Sequence, residues 1–133
     1  MGSPADNATL IGDLYHAFGR GDMAAVAAAY DDDVVQHVFH SATTLPTEHR
    51  GKASVFNGYA ALIEGSTKTF WIRPETIVAT DGLAVAIIRA GVQVHTLQHE
   101  WRGVEVFAIR NGKVTEFWTL PLDRTPNDEP GLE

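Results

Sequence analysis

Glu105 is the carboxyl group in this sequence best suited to acid–base chemistry. It lies in an apolar, β-rich stretch, where strand alternation places it on the same face as Phe107. Both faces of the stretch are apolar, so burial should raise the pKa of the carboxyl and make it an effective acid or base near neutrality. The alternative is a glutamate at the rim or at a dimer face, paired with Arg102 or Arg110.

His37 and Tyr15 are the other two candidate catalytic residues. His37 lies between apolar neighbours in the first predicted strand, and imidazole is the side chain best suited to moving a proton near pH 7. The alternative is a histidine that is simply hydrogen-bonded in place. Tyr15 and His16 are adjacent on the first predicted helix, so at most one of them faces the interior. There Tyr15 would donate its hydroxyl to a ligand or pack in the core.

Arg89 and the three tryptophans are the remaining unusual residues of the predicted strands. Arg89 is a charge in an apolar stretch and needs a partner. With an acid such as Glu105 it would suit an epoxide hydrolase-like site, and the alternative is a structural salt bridge. Trp71, Trp101 and Trp118 are typical of a core or a dimer interface, although they would also stack against a planar polycyclic ligand.

The sequence predicts no metal site and no cofactor. His95 and His99 would lie about 13 Å apart in an extended strand, too far for both to bind one zinc ion. A turn between them would let them approach, but no carboxylate motif accompanies them. No nucleophile elbow, phosphate-binding glycine loop or dinucleotide fingerprint is present. The chain has no cysteine, which excludes thiolate ligands and suits a reducing compartment such as the cytoplasm.

Charge and hydropathy exclude two classes of partner. The formal net charge is −7 and the basic residues are scattered singly, which argues against nucleic acid. No apolar run is long enough to span a bilayer, and no basic amphipathic segment or signal peptide is evident, so we expect no membrane association.

The order of the predicted elements is typical of an α+β fold. A capped first helix is followed by a short second one after Asp22, a turn at the three acids that begin at Asp31, and a strand over 34–39. A loop over 41–50 leads to a third helix from Gly51. Four strands then follow, over 67–80, 83–95, 99–110 and 114–120, with tight hairpin signals at 81–82 and 111–112. We predict one domain over 1–133, with a core of about 6–123 and a loose tail at 124–133.

This order, together with three local stretches, resembles the NTF2-like superfamily and within it the SnoaL-like and ketosteroid-isomerase-like proteins. The stretches are Tyr-His-Ala-Phe-Gly-Arg-Gly-Asp at 15–22, Arg-Gly-Lys at 50–52, and 106–118 with its Glu-Phe-Trp run. The resemblance implies a cone-shaped fold, in which three N-terminal helices pack on a curved, mostly antiparallel sheet around a pocket. It also implies a homodimer formed through the sheet face.

The resemblance carries over only part of a known site. In ketosteroid isomerases the tyrosine position falls on Leu14, with Tyr15 adjacent, and the base position falls next to His37. The second acid falls on or next to Glu105. SnoaL-like cyclases often carry a histidine in the place of His37 and an aspartate base near the end of the last strand, where Asp123 is the nearest acid.

The leading hypothesis is therefore a cofactor-free enzyme that acts on a hydrophobic, carbonyl-bearing small molecule by proton transfer, as a cyclase or isomerase. His37 and Glu105 would form the acid–base pair and Tyr15 would be the oxyanion donor. The sequence leaves open which of His37, His40, Glu105 and Asp123 face the pocket. The predicted ligand-binding residues are Leu14, Phe39, Phe56, Trp71, Arg89, Phe107 and Trp118. The alternatives are a non-catalytic binding protein, an epoxide hydrolase-like enzyme of the same fold, or an assembly module.

Overall fold

A computed structural model describes residues 2–40, 45–66 and 68–122 of the chain. Within this part, the helices are α1 (Pro4–Gly19), α2 (Met23–Ala28) and α3 (Lys52–Gly65). The strands are β1 (Tyr30–Val38), β2 (Thr47–Arg50), β3 (Trp71–Ala79), β4 (Leu83–Val94), β5 (Leu97–Arg110) and β6 (Lys113–Pro121). The prediction about the tail at 124–133 and the candidate Asp123 lie outside the described residues.

The strands form one six-stranded sheet in the order β2-β1-β6-β5-β4-β3. All neighbouring pairs are antiparallel except β1 and β6, which run parallel. This sheet with its helices confirms the predicted α+β, cone-shaped fold with a mostly antiparallel sheet.

Local signals in the sequence account for most element boundaries. The Ser3 hydroxyl accepts a hydrogen bond of 3.0 Å from the Asp6 backbone N–H and so caps α1. Asp22 caps α2 in the same way, by accepting a bond of 3.1 Å from the Ala25 N–H. At the β5–β6 hairpin, Asn111 and Gly112 have φ of 53° and 75°, the left-handed pair that a tight two-residue turn requires.

Several predicted boundaries were wrong. The strand predicted over 67–80 is β3, which begins only at Trp71. The predicted loop over 41–50 contains β2 at its end, and β5 begins at Leu97 because β4 and β5 meet in a two-residue turn in which His95 has φ of 57°. The first strand begins at Tyr30 rather than 34, so the three acids from Asp31 to Asp33 lie within β1. They fall where the pairing of β1 with β6 shifts register, which leaves them outside the regular ladder.

Cross-strand register sorts the side chains into two faces. An inner row faces α1 and α3 and contains Ile77, Ala86, Glu105, Thr119, Val38 and Thr47. The adjacent outer row contains Val78, Val85, Val106, Trp118, His37 and Glu48. Because strand side chains alternate, each inner residue has an outer neighbour one position away.

The core lies between the inner face and the helices, and Val34 on β1 belongs to it with none of its surface exposed. We expect Val34→Ala to lower the free energy of unfolding by about 2 kcal/mol, since two buried methyl groups are lost and a small cavity remains. Urea unfolding measures this change. The control is Leu97→Ala, a strand leucine that is 64% exposed at the β4–β5 turn, for which a loss under about 1 kcal/mol is expected. Equal losses in the two variants would contradict the assigned faces.

Candidate functional site

A cavity of about 500 Å³ opens between α1, α3 and the inner face of the sheet. Its wall is mainly apolar, and of the predicted ligand-binding residues Leu14, Phe39 and Phe107 line it. The polar and titratable side chains in its wall are Tyr15, Tyr30, Gln36, His40, Thr47, His49, Tyr59, Glu105 and Thr119. An apolar cavity with a few convergent polar groups is the usual form of a small-molecule site.

Glu105 is the only carboxyl among the described residues that line this cavity. It is 8% exposed, and both of its oxygens accept hydrogen bonds. The Tyr15 hydroxyl donates to Oε1 at 2.5 Å, and the Thr119 hydroxyl donates to Oε2 at 2.7 Å. Because Tyr15 comes from α1 and Thr119 from β6, these two bonds tie a helix and a neighbouring strand to the same carboxyl group.

Burial dominates the protonation of this pair. Desolvation raises the pKa of Glu105 above its ordinary value, and the hydrogen bonds from Tyr15 and Thr119 offset only part of that rise. Burial, and then the nearby Glu105 carboxylate, raise the pKa of Tyr15 far above the ordinary value for a phenol. Tyr15 is therefore a hydrogen-bond donor and not a base, whereas the raised pKa of Glu105 makes its acid form more accessible than that of an exposed glutamate.

A second pair of phenols lies in the same cavity wall. The hydroxyls of Tyr30 and Tyr59 are 2.6 Å apart and share one hydrogen bond. Burial raises the pKa of both, and the Glu105 carboxylate raises each further. Each hydroxyl carries one proton, and the hydrogen bond between the two tyrosines uses only one of these protons. The other phenolic proton has no acceptor among the described residues.

The structure does not bring His37 and Glu105 together. His37 is on the outer row, and its ring nitrogens lie 2.6 Å from Glu116 Oε2 and 3.5 Å from Glu48 Oε2. The ring also stacks on Trp118, with 5.4 Å between centroids. Because successive strand residues point to opposite faces, it is Gln36 and Val38, on either side of His37, that line the cavity.

Four predicted ligand-binding residues also lie outside the cavity lining. Trp118 is on the outer row beneath His37. Arg89 is on the outer face and pairs with Glu75 at 2.9 Å, which is the structural salt bridge weighed above. Trp71 packs against Gly91, where a Cβ atom would lie 2.6 Å from the indole nitrogen. Phe56 packs edge-to-face against Tyr30 and Tyr59 behind the wall.

Several cavity residues were not found from the sequence. Thr119 faces Glu105 only because a register shift in the β5–β6 ladder precedes it, and no residue pattern indicated that shift. Gln36 and His49 are opposite each other on β1 and β2, and β2 was not predicted. His40, whose direction the sequence left open, lines the cavity and lies 3.1 Å from the Thr47 hydroxyl.

Within residues 2–40, 45–66 and 68–122, no three histidine or acidic side chains converge on a point where they could hold a metal ion. Nor does any helix in that part of the chain have the length and apolar character to cross a membrane.

The chain belongs to the SnoaL-like domain family, whose model matches residues 11–117. No protein of curated function matches the chain. The predicted membership of the NTF2-like, SnoaL-like group is therefore confirmed by the family match and by the fold.

Three solved structures illustrate the range of similar folds. Bal32a, from a soil-derived mobile gene cassette, aligns with a TM-score of 0.81 at 20% identity, over 90% of this chain and 92% of its own. TerC, co-crystallized with polyporic acid, aligns at 0.74 and 16% identity, over 87% and 91%. An LEH-like epoxide hydrolase of M. tuberculosis aligns at 0.67 and 17% identity, over 89% and 84%. At these identities the likeness shows the fold alone.

The raised pKa of Glu105 predicts how stability depends on pH. A carboxyl whose pKa is higher in the folded than in the unfolded chain stabilises the fold below the ordinary value of 4.5 and loses that contribution as pH rises through its folded pKa. We expect Glu105→Gln, which cannot ionise, to lack this loss. Its stability relative to the wild type should therefore increase from pH 4.5 upward, by about 1.4 kcal/mol for each unit of pKa difference.

Urea unfolding of both proteins across this range measures the effect. The control is Glu116→Gln, which removes a carboxyl from the outer face. Because Glu105 is still present in this variant, it should lose the same amount of stability with rising pH as the wild type does through Glu105. A constant difference between the wild type and Glu105→Gln at all pH values would contradict the assignment.

Proposed function

We propose that this chain is a cofactor-independent enzyme that moves a proton on a hydrophobic, carbonyl-bearing small molecule, in the manner of a SnoaL-like polyketide cyclase or isomerase. The observation that carries the proposal is Glu105, a buried carboxyl with a raised pKa in the wall of an apolar cavity. A carboxyl group in such a setting is effective in both directions of proton transfer near neutrality.

The reaction needs only groups present in the cavity wall. Ionised Glu105 removes a proton from the carbon next to the carbonyl, and the electron pair of the C–H bond forms an enolate. In an isomerisation, the acid form of Glu105 returns that proton to another carbon. In a cyclisation, the enolate carbon attacks a second carbonyl of the same molecule, and Glu105 protonates the alkoxide that results.

Donors for the developing oxyanion are also available. The phenolic proton that the Tyr30–Tyr59 pair leaves without an acceptor lies close enough to Glu105 to feel its charge, and a preorganised donor of this kind stabilises an enolate oxygen. Tyr15, predicted as the oxyanion donor, already donates to Glu105. We therefore assign Tyr15 to orienting the carboxyl, and we leave His37 out of the mechanism because it lies on the other face.

The epoxide hydrolase-like alternative has less support. The similarity to the M. tuberculosis epoxide hydrolase is a similarity of fold only. In addition, Arg89 of this chain pairs with Glu75 on the outer face. No arginine or lysine is among the described residues that line the cavity, so Glu105 has no cation beside it. A small-molecule role of some kind is also supported by TerC, a relative that was co-crystallized with polyporic acid.

Replacement of Glu105 tests the proposal directly. With 2-tetralone, a bicyclic ketone, as probe, we expect the protein to accelerate exchange of the protons next to the carbonyl for deuterium, followed by NMR in D₂O. Glu105→Gln should lower this rate at least about 100-fold, the usual contribution of a general base. The matched control Glu116→Gln should leave it unchanged, because that carboxyl lies on the outer face. Equal rates for Glu105→Gln and the wild type, with 2-tetralone bound, would instead indicate a binding protein.

We also propose that the outer face of the sheet forms a homodimer. Val78, Leu83 and Val85 on this face are 62%, 46% and 37% exposed, and Val106 and Trp118 continue the row across the sheet. Apolar side chains exposed side by side on a sheet surface are typical of an interaction site.

Disrupting this strip should separate the subunits. We expect the wild type to sediment as a dimer and Val85→Glu as a monomer, because a charge placed in the middle of the strip cannot be buried without a partner. Leu97→Glu is the control, since Leu97 is 64% exposed at the β4–β5 turn and its replacement should not alter the mass. A monomeric wild type at all concentrations in analytical ultracentrifugation would exclude the dimer.

A further inference from the structure

Gln36 is a buried polar residue that the proposed mechanism does not use. It lies on β1, is 7% exposed and borders the cavity. Its side-chain amide has no hydrogen-bond partner among the described residues. The amide can donate two hydrogen bonds and accept two, so all of this capacity is available to whatever occupies the cavity.

The nitrogen and oxygen of the Gln36 amide are not among the fully buried side-chain atoms of the described residues that lack a partner, so they reach the open space of the cavity. There they can form hydrogen bonds with a bound molecule. A methionine or leucine would fill a similar volume on this apolar face but could form no such bond. The amide at this position therefore suits recognition of a polar group on a ligand.

The register of the sheet places Gln36 and Glu105 in two different rows of the inner face. Gln36 pairs with Phe117, and Phe117 with Phe107, whereas Glu105 pairs with Thr119 in the next inner row. The two residues are thus separated by strand β6 and by two positions along the strands. Standard sheet spacings put their Cα atoms about 12 Å apart. The rings of Phe107 and Phe117, stacked with 5.6 Å between centroids, lie between them.

A second polar group accompanies Gln36. His49 is its direct partner on β2 and also borders the cavity, where its Nδ1 lies 3.4 Å from the Ser54 hydroxyl. The cavity wall thus has one group of polar side chains around Glu105 and a second at Gln36 and His49.

We propose that Gln36 is a specificity-determining residue that binds a second oxygen of the substrate, at the end of the molecule opposite the reacting carbonyl. The substrate class that fits is a hydrophobic molecule about as long as two fused six-membered rings, with a hydroxyl or carbonyl oxygen near each end. A ligand with one oxygen only would leave the Gln36 amide without a partner. This inference rests on the proposed function for the role of Glu105, and it adds the second anchoring point.

Two fluorescent probes that differ by one hydroxyl test the inference. We expect the wild type to bind 2,6-dihydroxynaphthalene about three- to tenfold more tightly than 2-naphthol, beyond the twofold statistical advantage of a symmetric diol, because one more neutral hydrogen bond forms. In Gln36→Met, which keeps the length of the side chain and removes the amide, only the twofold advantage should remain. Titrations monitored by naphthol fluorescence measure both ratios.

Two further measurements separate binding from structure. In the wild type, the side-chain amide signals of Gln36 in a ¹H–¹⁵N spectrum should shift with the diol and much less with 2-naphthol, while those of Gln98, exposed on β5, should not shift. Gln36→Met should melt at the same temperature as the wild type or higher, because no hydrogen bond within the protein is lost. A marked fall in melting temperature would point to a structural role and count against the inference.

The outcome is distinguishable from that of the proposed function. An equal diol preference in the wild type and Gln36→Met, or unshifted Gln36 signals, would overturn the role of Gln36 and leave the exchange reaction of 2-tetralone untouched. Conversely, Gln36→Met could lose the diol preference while Glu105→Gln still exchanges 2-tetralone at the wild-type rate. That pair of results would support Gln36 as a binding residue and contradict the proposed enzymatic function.

Discussion

The site depends on one constraint, a carboxyl group held in an apolar interior without a cation. A carboxyl group can be buried in this way without a large cost in stability only if its oxygens accept hydrogen bonds. Here the two donors come from different elements of the fold. Tyr15 brings α1 to the sheet and Thr119 brings β6 into register with β5. The same two bonds that satisfy Glu105 therefore link α1 and β6 to the inner face of the sheet, in the wall of the cavity.

The register of β5 against β6 decides which side chains share the face of Glu105. Counting back along both strands from the turn at Asn111 and Gly112 would set Trp118 opposite Glu105. A register shift between Ala108 and Ile109 moves the pairing by one residue, so Thr119 takes that place and Trp118 points outward. A shift of one residue reverses every side chain beyond it. The sequence analysis therefore assigned Trp118 to the correct strand but to the wrong face of the sheet.

The parts of the fold that local chemistry controls were predictable from sequence. The Ser3 and Asp22 caps, the Asn-Gly turn and the alternation that puts Glu105 and Phe107 on one face all follow from neighbouring residues. The parts that depend on distant pairing were not. The four residues of β2 are a strand only because β1 lies beside them. Likewise, the inward face of β1 is set by its parallel partner β6, so nothing local distinguished Gln36 from His37.

Glu75 and Glu105 of this sheet differ in their surroundings, and this difference decides which of them can take part in proton transfer. Glu75, on the outer face, accepts hydrogen bonds from Arg102 and Arg89, and these cations hold its pKa below the ordinary value. It stays ionised at neutral pH and cannot act as an acid. Glu105 has only neutral donors, Tyr15 and Thr119, and burial raises its pKa. Neutral donors stabilise the carboxylate without locking it in that form, so the acid form of Glu105 is more accessible than that of Glu75. A group that can take either form is what a reaction needs when a proton is accepted in one step and returned in the next.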